Sequence, residues 1–551
     1  MALASPLAAQ TRVTMPDTLA LDWFGFDVVA DGSLAVVGAW RDDDAGPNTG
    51  SAHLVHMTAR GSGTYLQKLS IEGAAAGDRA GENVAIGAGY VASTLPGKPM
   101  LRPDGSIVHG AVAIFREVDG VYEEAALLDD PSRSEGDLFG TSVAIHENFI
   151  LVGAPRDDEF APDGGAVYVF MRNGSKWVRV QKLAPADIGV HDFFGHDLAV
   201  AGERGVATAY NDDDRGVNAG AAYVLDLNES TWSVGQKLLA KEGANFDLFG
   251  TSVAMTEDTI VVGAPQNQDA DDQAVNDEGA AFVYEWSPTI EAWSETMTLR
   301  PGDPTEEHRF GIDVAISGDL IVVGASHADS GILNSGSAHI FRQTSRDWFE
   351  VERHVSPTNQ AYDYLGLSVA VGDSIVVGVP GASDIVAGGG AVDVIPLPTQ
   401  GEVWGDTFCH SDERVGGFLR MGGNLNSNGT CGRLTTAGSH SISRDDLVFR
   451  AVGMPAGASA ILLLSPRQGN IPIGDGPLCL QLGSGAFQFA RRFATTDGRL
   501  IQRHPIGRIE DAVPGAAATL VGLRYFAQVA YFDDETNRWN TTNAVRVDFE
   551  N

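Results

Sequence analysis

The stretch FDLFGTSVAMTEDTIVVGAP, residues 246–265, decides the fold, because six other stretches repeat its order of residue types. They are LDWFGFDVVADGSLAVVGAW at 21–40, GDRAGENVAIGAGYVASTLP at 77–96, GDLFGTSVAIHENFILVGAP at 136–155, HDFFGHDLAVAGERGVATAY at 191–210, EHRFGIDVAISGDLIVVGAS at 307–326 and YDYLGLSVAVGDSIVVGVP at 362–380. The residue before the pattern's glycine is Phe24, Ala80, Phe139, Phe194, Phe249, Phe310 or Leu365, so successive copies lie 56, 59, 55, 55, 61 and 55 residues apart. That period is too long for one coil of a solenoid and suits a four-stranded blade. Seven such blades predict a closed β-propeller.

Within a unit, Gly140–Ile145 and Phe149–Val152 are apolar or β-branched and flank His146-Glu147-Asn148, which predicts a tight hairpin. A third strand opens on a glycine followed by small residues, as at Gly165-Ala166-Val167 and Gly279-Ala280-Ala281. Glycine inside a strand is costly unless something approaches closely, and convergence of seven blades near the axis is one such reason. A fourth strand opens on Tyr65, Tyr122, Trp177, Trp232, Trp293 or Trp348. The seventh unit lacks it, since Val394-Ile395 runs into Pro396-Leu397-Pro398. In complete units the last apolar residue of strand four lies eleven positions before the signature residue, and Val13 stands in that register to Phe24. Thr11-Arg12-Val13 is therefore expected to supply the missing strand and close the ring, removing open edges.

The phrases FGTSVA, VVGAP and GAVYVF resemble FG-GAP repeats, which build the seven-bladed propeller of integrin α subunits and many bacterial surface proteins. The resemblance spans roughly residues 11–395, with units two and four degenerate at Ala80 and at Thr208-Ala209-Tyr210. It implies an extracellular or cell-surface protein that binds a ligand. Repeats of this type often carry a DxDxDG calcium loop in the first hairpin, but Thr256-Glu257-Asp258 and Ser317-Gly318-Asp319 are too short for it, so that site is not transferred.

Residues 406–551, after a linker at 396–405, lack the repeat and alternate in places such as Val545-Arg546-Val547-Asp548-Phe549, which predicts an antiparallel β-sandwich. Phe408-Cys409, Asn426-Ser427-Asn428-Gly429 and Leu478-Cys479 resemble a C-terminal β domain of secreted planctomycete-type bacterial proteins. That resemblance implies secretion and a disulfide between Cys409 and Cys479, with Cys409–Cys431 as the alternative pairing. Neither CxxC nor a spaced Cys/His set is present to suggest zinc. Residues 1–9 read as the remnant of a signal peptide cleaved after Ala9, with the propeller then spanning 10–395; an ordinary frayed terminus is the competing reading.

The chain has 37 basic and 73 acidic residues among 551, for a formal charge of −36. Such a field disfavours nucleic acid and anionic membranes, and no apolar run reaches the ~20 residues that span a bilayer. HExxH, GxSxG and P-loop signatures are absent, and the spacing around His191, His196 and His308 supports no acid–base site, so the expectation is a non-catalytic protein without a cofactor.

An acidic loop recurs between strands two and three: Asp42-Asp43-Asp44, Asp157-Asp158-Glu159, Asp212-Asp213-Asp214 and Asp269 with Asp271 and Asp272; unit six has Asp329 alone. Propeller geometry puts these loops on one face with the turns that carry Asp22, Asp78, Asp137, Asp192, Asp247 and Asp363. Such residues commonly cap turns, yet clustered carboxylates also attract cations, so this face is the expected recognition surface for an extracellular protein or glycan. Weak calcium binding, at roughly 10⁻⁴–10⁻³ M, is expected with it. The competing classes are a structural subunit that self-assembles and a carbohydrate-binding or carbohydrate-active propeller, the latter marked by aromatic platforms at the channel mouth.

Overall fold

The computed structural model describes residues 10–398 except 103, 131, 268–277, 302–307, 330–331, 345–346, 357 and 359, together with the backbone of the strands between 414 and 548. By contacts the chain divides into two units, Met1–Pro301 with Thr305–Thr399, and Gly302–Pro304 with Gln400–Asn551. The first unit is a seven-bladed propeller. Blade one is the meander Val28–Asp31, Leu34–Ala39, Ser51–Thr58 and Ser62–Lys68, and blades two to six repeat that order of four antiparallel strands. Blade seven takes Val369–Val371, Ser374–Val379 and Ala391–Pro396 from the end of the repeat and Thr11–Val13 from its start. Thr11 pairs with Val394 and Val13 with Val392, in the register expected from the eleven-residue spacing.

Arg12 locks this closing strand. Its guanidinium donates to Asp393 at 2.7 and 3.1 Å, to Asp384 and Thr358 at 2.8 Å and to Ser356 at 2.6 Å. His354 Nε2 stands 3.0 Å from the same Asp393 carboxylate. Burial alone would push Asp393 up; the bonds from His354 and Arg12 outweigh it and hold the carboxyl below the usual carboxylate range.

The core lies between blades rather than within them. Val206, Ala222 and Val224 of blade four pack with Phe249, Ile260 and Phe282 of blade five, and Val392 and Val394 of blade seven pack with Val28, Ala35 and Val55 of blade one. All seven signature residues are fully buried. Each sits beneath the glycine that opens strand three of the preceding blade, as Phe194 does beneath Gly165 and Phe310 beneath Gly279. A Cβ on Gly165 would lie 2.1 Å from the Phe194 carbonyl oxygen. These glycines thus serve contact between neighbouring blades, not crowding at the axis, because the third strand is too far from the centre to feel it.

Two rings of side-chain bonds join the blades. At the inner ring the residue three after the signature reaches the next blade. Asp27 accepts from Val84 N, Asn83 from Val143 N, Asp197 from Val253 N and Asp313 from Val369 N at 2.7–3.1 Å, and Ser368 accepts from Val28 N at 3.0 Å. Ser142 and Ser252 instead donate to the carbonyls of Gly195 and Gly311. All seven junctions are therefore clasped. At the outer ring, Gln67, Gln181 and Gln236 each exchange two bonds with the backbone of the aromatic residue in strand four of the next blade, at Tyr122, Trp232 and Trp293.

In the second unit the strands pair antiparallel. Ser459–Ser465 and Arg524–Asp533 are central to a six-stranded sheet, and Arg433–Ala437, Val448–Val452 and Leu500–Arg503 form another. The packing of these sheets, Cys409, Cys431 and the side chain of Cys479, residues 1–9 and most of the 396–405 linker lie outside the described residues, and the disulfide expectation with them.

Candidate functional site

The face that carries the acidic loops is built from two kinds of connection. The loop between strands two and three of one blade is hydrogen-bonded along its length to the segment entering the next blade, as Phe246 N bonds Val217 O at 2.8 Å and Phe249 N bonds Ala219 O at 3.0 Å. Residues just before the signature turn back through the left-handed region, with Trp23, Phe193 and Tyr364 at φ 58°, 60° and 53°.

The structure places each described acid of the repeated loop in the same role in three blades. The first acid, Asp42, Asp157 or Asp212, is buried. One of its oxygens accepts the backbone N–H two residues on at 3.0 Å. The other meets the ammonium of Lys68, Lys182 or Lys237 at 2.5–2.7 Å, together with the hydroxyl of Ser51, Tyr168 or Tyr223. The second acid, Asp43, Asp158 or Asp213, is exposed and accepts the N–H five residues on at 2.6–2.7 Å. The third, Asp44, Glu159 or Asp214, is exposed and completes the lysine's pair. The lysine thus occupies the place between two carboxylates that a cation would take. Asp42 is held below the usual carboxylate range because the bonds from Lys68, Ser51 and the Asp44 amide outweigh its burial.

The blades themselves vary this arrangement. Blades six and seven have Ala328 and Ala382 at the buried position, and blade five has Asn267, which accepts from Arg300 at 2.6 Å and donates to Asp247 at 2.7 Å. Asp269, Asp271 and Asp272 lie outside the described residues; Asp329 accepts the Asn334 N–H at 2.7 Å. Of the turn acids, Asp22, Asp137 and Asp192 cap backbone N–H groups three residues before them, and burial raises each to about 6. Among the described residues no group of three or more His, Cys, Asp or Glu side chains is disposed to hold a metal ion.

Two features escape a reading of the acids alone. GSAH occurs twice, at 50–53 and 336–339. In the second copy Ser337 Oγ is 3.0 Å from His339 Nε2, and His339 Nδ1 is 2.7 Å from Glu350. The order matches a nucleophile–base–acid relay, but Ser337 is wholly buried and His339 lies edge-on to Phe310, so the relay satisfies polar groups in the core. The second feature is the inner rim of the loop face. There Trp23, Phe26 and Trp40 form one aromatic cluster and Phe193, His196 and Tyr210 another, with Arg41 and Arg156 against their rings. Aromatic residues next to the signature, at Trp23-Phe24, Phe193-Phe194 and Tyr364-Leu365, were the available signal.

Comparison with known proteins bears on the repeats. The FG-GAP repeat family model matches residues 8–55, 123–170, 177–225, 232–284 and 293–341. Each match begins in or just before the outer strand of one blade and ends in strand three of the next, the same offset by which Thr11–Val13 closes the ring. Unit four matches despite its altered second strand; the unmatched signatures are those with Ala80 and Leu365. No curated protein matches the chain. Among solved structures, a "putative 6-phosphogluconolactonase" from Bacteroides uniformis aligns at 10% identity and TM-score 0.41 over 61% of this chain and 86% of its own. A second from Bacteroides fragilis, described in the same words, aligns at 10% and 0.41 over 62% and 86%. The chain thus carries FG-GAP repeats, folded as the blades of a seven-bladed propeller.

Proposed function

We propose that the protein is a non-catalytic extracellular binding or adhesion protein that recognises its ligand through the loop face of the propeller. The observation that carries this reading is the distribution of exposed apolar side chains. Leu333, Tyr362, Ile385 and Leu21 follow one another along the arc from blade six to blade one, and Phe246 and Val217 form a second exposed pair at the junction of blades four and five. Large exposed apolar groups gathered on one face mark interaction sites more often than scattered ones do. The acidic loops hold that face rigid through their internal bonds, and their outer acids, Asp43, Asp158 and Asp213, give it a negative border.

The test is an array of matrix proteins and glycans probed with the full chain, followed by Phe246→Asp and Tyr362→Asp on the loop face and Glu147→Lys on the opposite turns. Loss of binding in the first two with retention in the third supports the loop face; the reverse pattern moves recognition elsewhere. A second reading, carbohydrate recognition, is favoured by the aromatic clusters at the inner rim.

A further inference from the structure

At the position three residues before the signature, every described blade holds its backbone in the left-handed region. Blades two and three have Gly77 and Gly136 there, at φ 85° and 96°, but blades one, four, five and seven have Leu21, His191, Phe246 and Tyr362, at φ 70°, 65°, 66° and 66°. The counterpart in blade six, Glu307, lies outside the described residues. The blade junction sets this conformation, because the residue's N–H bonds a carbonyl of the preceding blade's loop: Gly77 to Pro47 at 2.9 Å, Phe246 to Val217 at 2.8 Å and Tyr362 to Leu333 at 3.1 Å. Glycine meets that demand without steric cost, and a bulky side chain does not. The bulky ones gain little burial in return, since Leu21, Phe246 and Tyr362 are 54%, 54% and 49% exposed. Strained residues of this kind collect at functional sites.

The neighbours of these residues indicate a partner's chemistry. Exposed Val217 and Leu333 stand beside Phe246 and Tyr362, so each of those junctions presents an aliphatic–aromatic pair. Asp213 and Asp329 accept the N–H of the residues that follow the aliphatics, Asn218 and Asn334, at 2.7 Å, which fixes an exposed carboxylate beside each pair. Neither acid pairs with a lysine or arginine among the described residues, unlike Asp212 and Asp214, which share Lys237. Beside the two glycine positions the exposed apolar groups are instead Leu101 and Ile107, paired near the tip of the hairpin that takes the place of the acidic loop in blade two. We infer that these junctions anchor a docking surface for a basic protein partner, one that presents large apolar side chains next to Lys or Arg. A saccharide finds no ring to stack on at Val217, Leu333, Ile385 or Leu21, and a second copy would set the same acids against one another.

The inference rests on the loop-face reading and narrows it. A random peptide library displayed on phage is panned on the full chain, and an enriched peptide is synthesised and titrated by calorimetry. Enriched sequences are expected to carry Lys or Arg beside Leu, Ile, Phe or Trp, with affinity that falls as salt rises. Leu21, Phe246 and Tyr362 changed together to Gly should weaken that peptide about tenfold or more, as loss of anchor residues does, and yet melt at or above the parent chain, because glycine relieves the left-handed backbone. Asp213→Asn with Asp329→Asn can still accept the same amides and should flatten the salt dependence. A glycine variant that melts below the parent makes these side chains packing elements and overturns the inference; unchanged affinity in it overturns the anchors, and unchanged salt dependence in the asparagine variant overturns the role of the acids. Enrichment of neutral or acidic peptides overturns the basic partner. No enrichment alongside glycan capture that Tyr362→Asp abolishes overturns the inference and leaves the loop-face reading standing.

Discussion

Asp157 accepts bonds from the Glu159 amide, the Tyr168 hydroxyl and Lys182, and is almost wholly enclosed. Removing one partner of a buried pair strands the other, which costs about 3–5 kcal/mol, whereas replacing both with apolar groups is often near neutral. Asp157→Ala should therefore lower the denaturant midpoint sharply, and adding Lys182→Met should recover much of the loss; a double variant worse than either single would exclude this account. Lys237 also excludes a divalent ion from between Asp212 and Asp214. Calorimetric titration of Lys237→Gln with calcium should give saturable heat exceeding that of the parent chain, and equal heats would show that the lysine is no barrier. At the axis, burial first, with mutual repulsion between carboxylates at Asp197 and Asp313, raises Asp27, Asp197 and Asp313 to about 6, 7 and 8. The folded ring then holds more protons than the unfolded chain between about pH 4 and pH 8, so stability falls as pH rises through that window, by about 1.4 kcal/mol per unit for each extra proton. Asp42 and Asp393 are held low and give the opposite slope below about pH 4, where their pairs are lost. The melting temperature should peak near about pH 4. Asn83 already makes the same clasp as a neutral amide. The triple change of Asp27, Asp197 and Asp313 to Asn should accordingly flatten the profile and raise the melting temperature at about pH 8; identical melting of the parent at about pH 5 and pH 8 would refute the shifts.

At the scale of the strand, a Cβ on Gly263 would sit 2.0 Å from the Gly311 carbonyl oxygen of the next blade. Gly263→Ala forces backbone apart at a blade junction and should cost several-fold more stability than Gly318→Ala, where nothing lies within 4 Å and only the positive φ is strained. Comparable losses in chemical denaturation would show that the junction yields easily. The closing strand makes a stronger claim. Removing residues 1–14 deletes three paired residues and leaves buried Asp393 without Arg12. The melting temperature should fall and a peptide of residues 8–16 should restore it, less so with Arg12 replaced by alanine. A truncated chain that melts unchanged would leave the strand without a role. Closure was legible in the sequence because a fixed register survives loop variation, and period and blade count were legible for the same reason. The clasps were not, although their residues were in plain view. Asp27, Asn83 and Ser142 look unrelated until the fold shows that each only needs an oxygen at one point. The acids read as a recognition surface because sequence displays the carboxylates as a run and their lysines some 25 residues away, as with Asp157 and Lys182. Arg41 between two indoles had no signature at all, since Trp23 and Trp40 meet only through the hairpin.

Across the whole molecule, the six complete blades share a register shift between strands three and four, at Val169/Phe170 in blade three and Val283/Tyr284 in blade five for example. Such bulges twist an outer edge away from regular pairing, and Lys176, Arg179 and Lys182 add charge along the blade-three edge. Lateral addition of strands from another copy is thereby discouraged at the perimeter, which favours recognition through a face. The seam in blade seven has a different consequence, and it is mechanical. Thr11–Val13 and Ala391–Pro396 are antiparallel neighbours, so the chain enters and leaves the ring at the same end of one strand pair. Tension applied through residues 10 and 398 would peel that pair apart one rung at a time instead of shearing all rungs together. Only the Arg12 cluster resists the first rungs, so the ring should open at low load from this seam while the other six junctions stay shut. A propeller tethered from both ends would then work as a breakable link whose yield point is set by a single arginine.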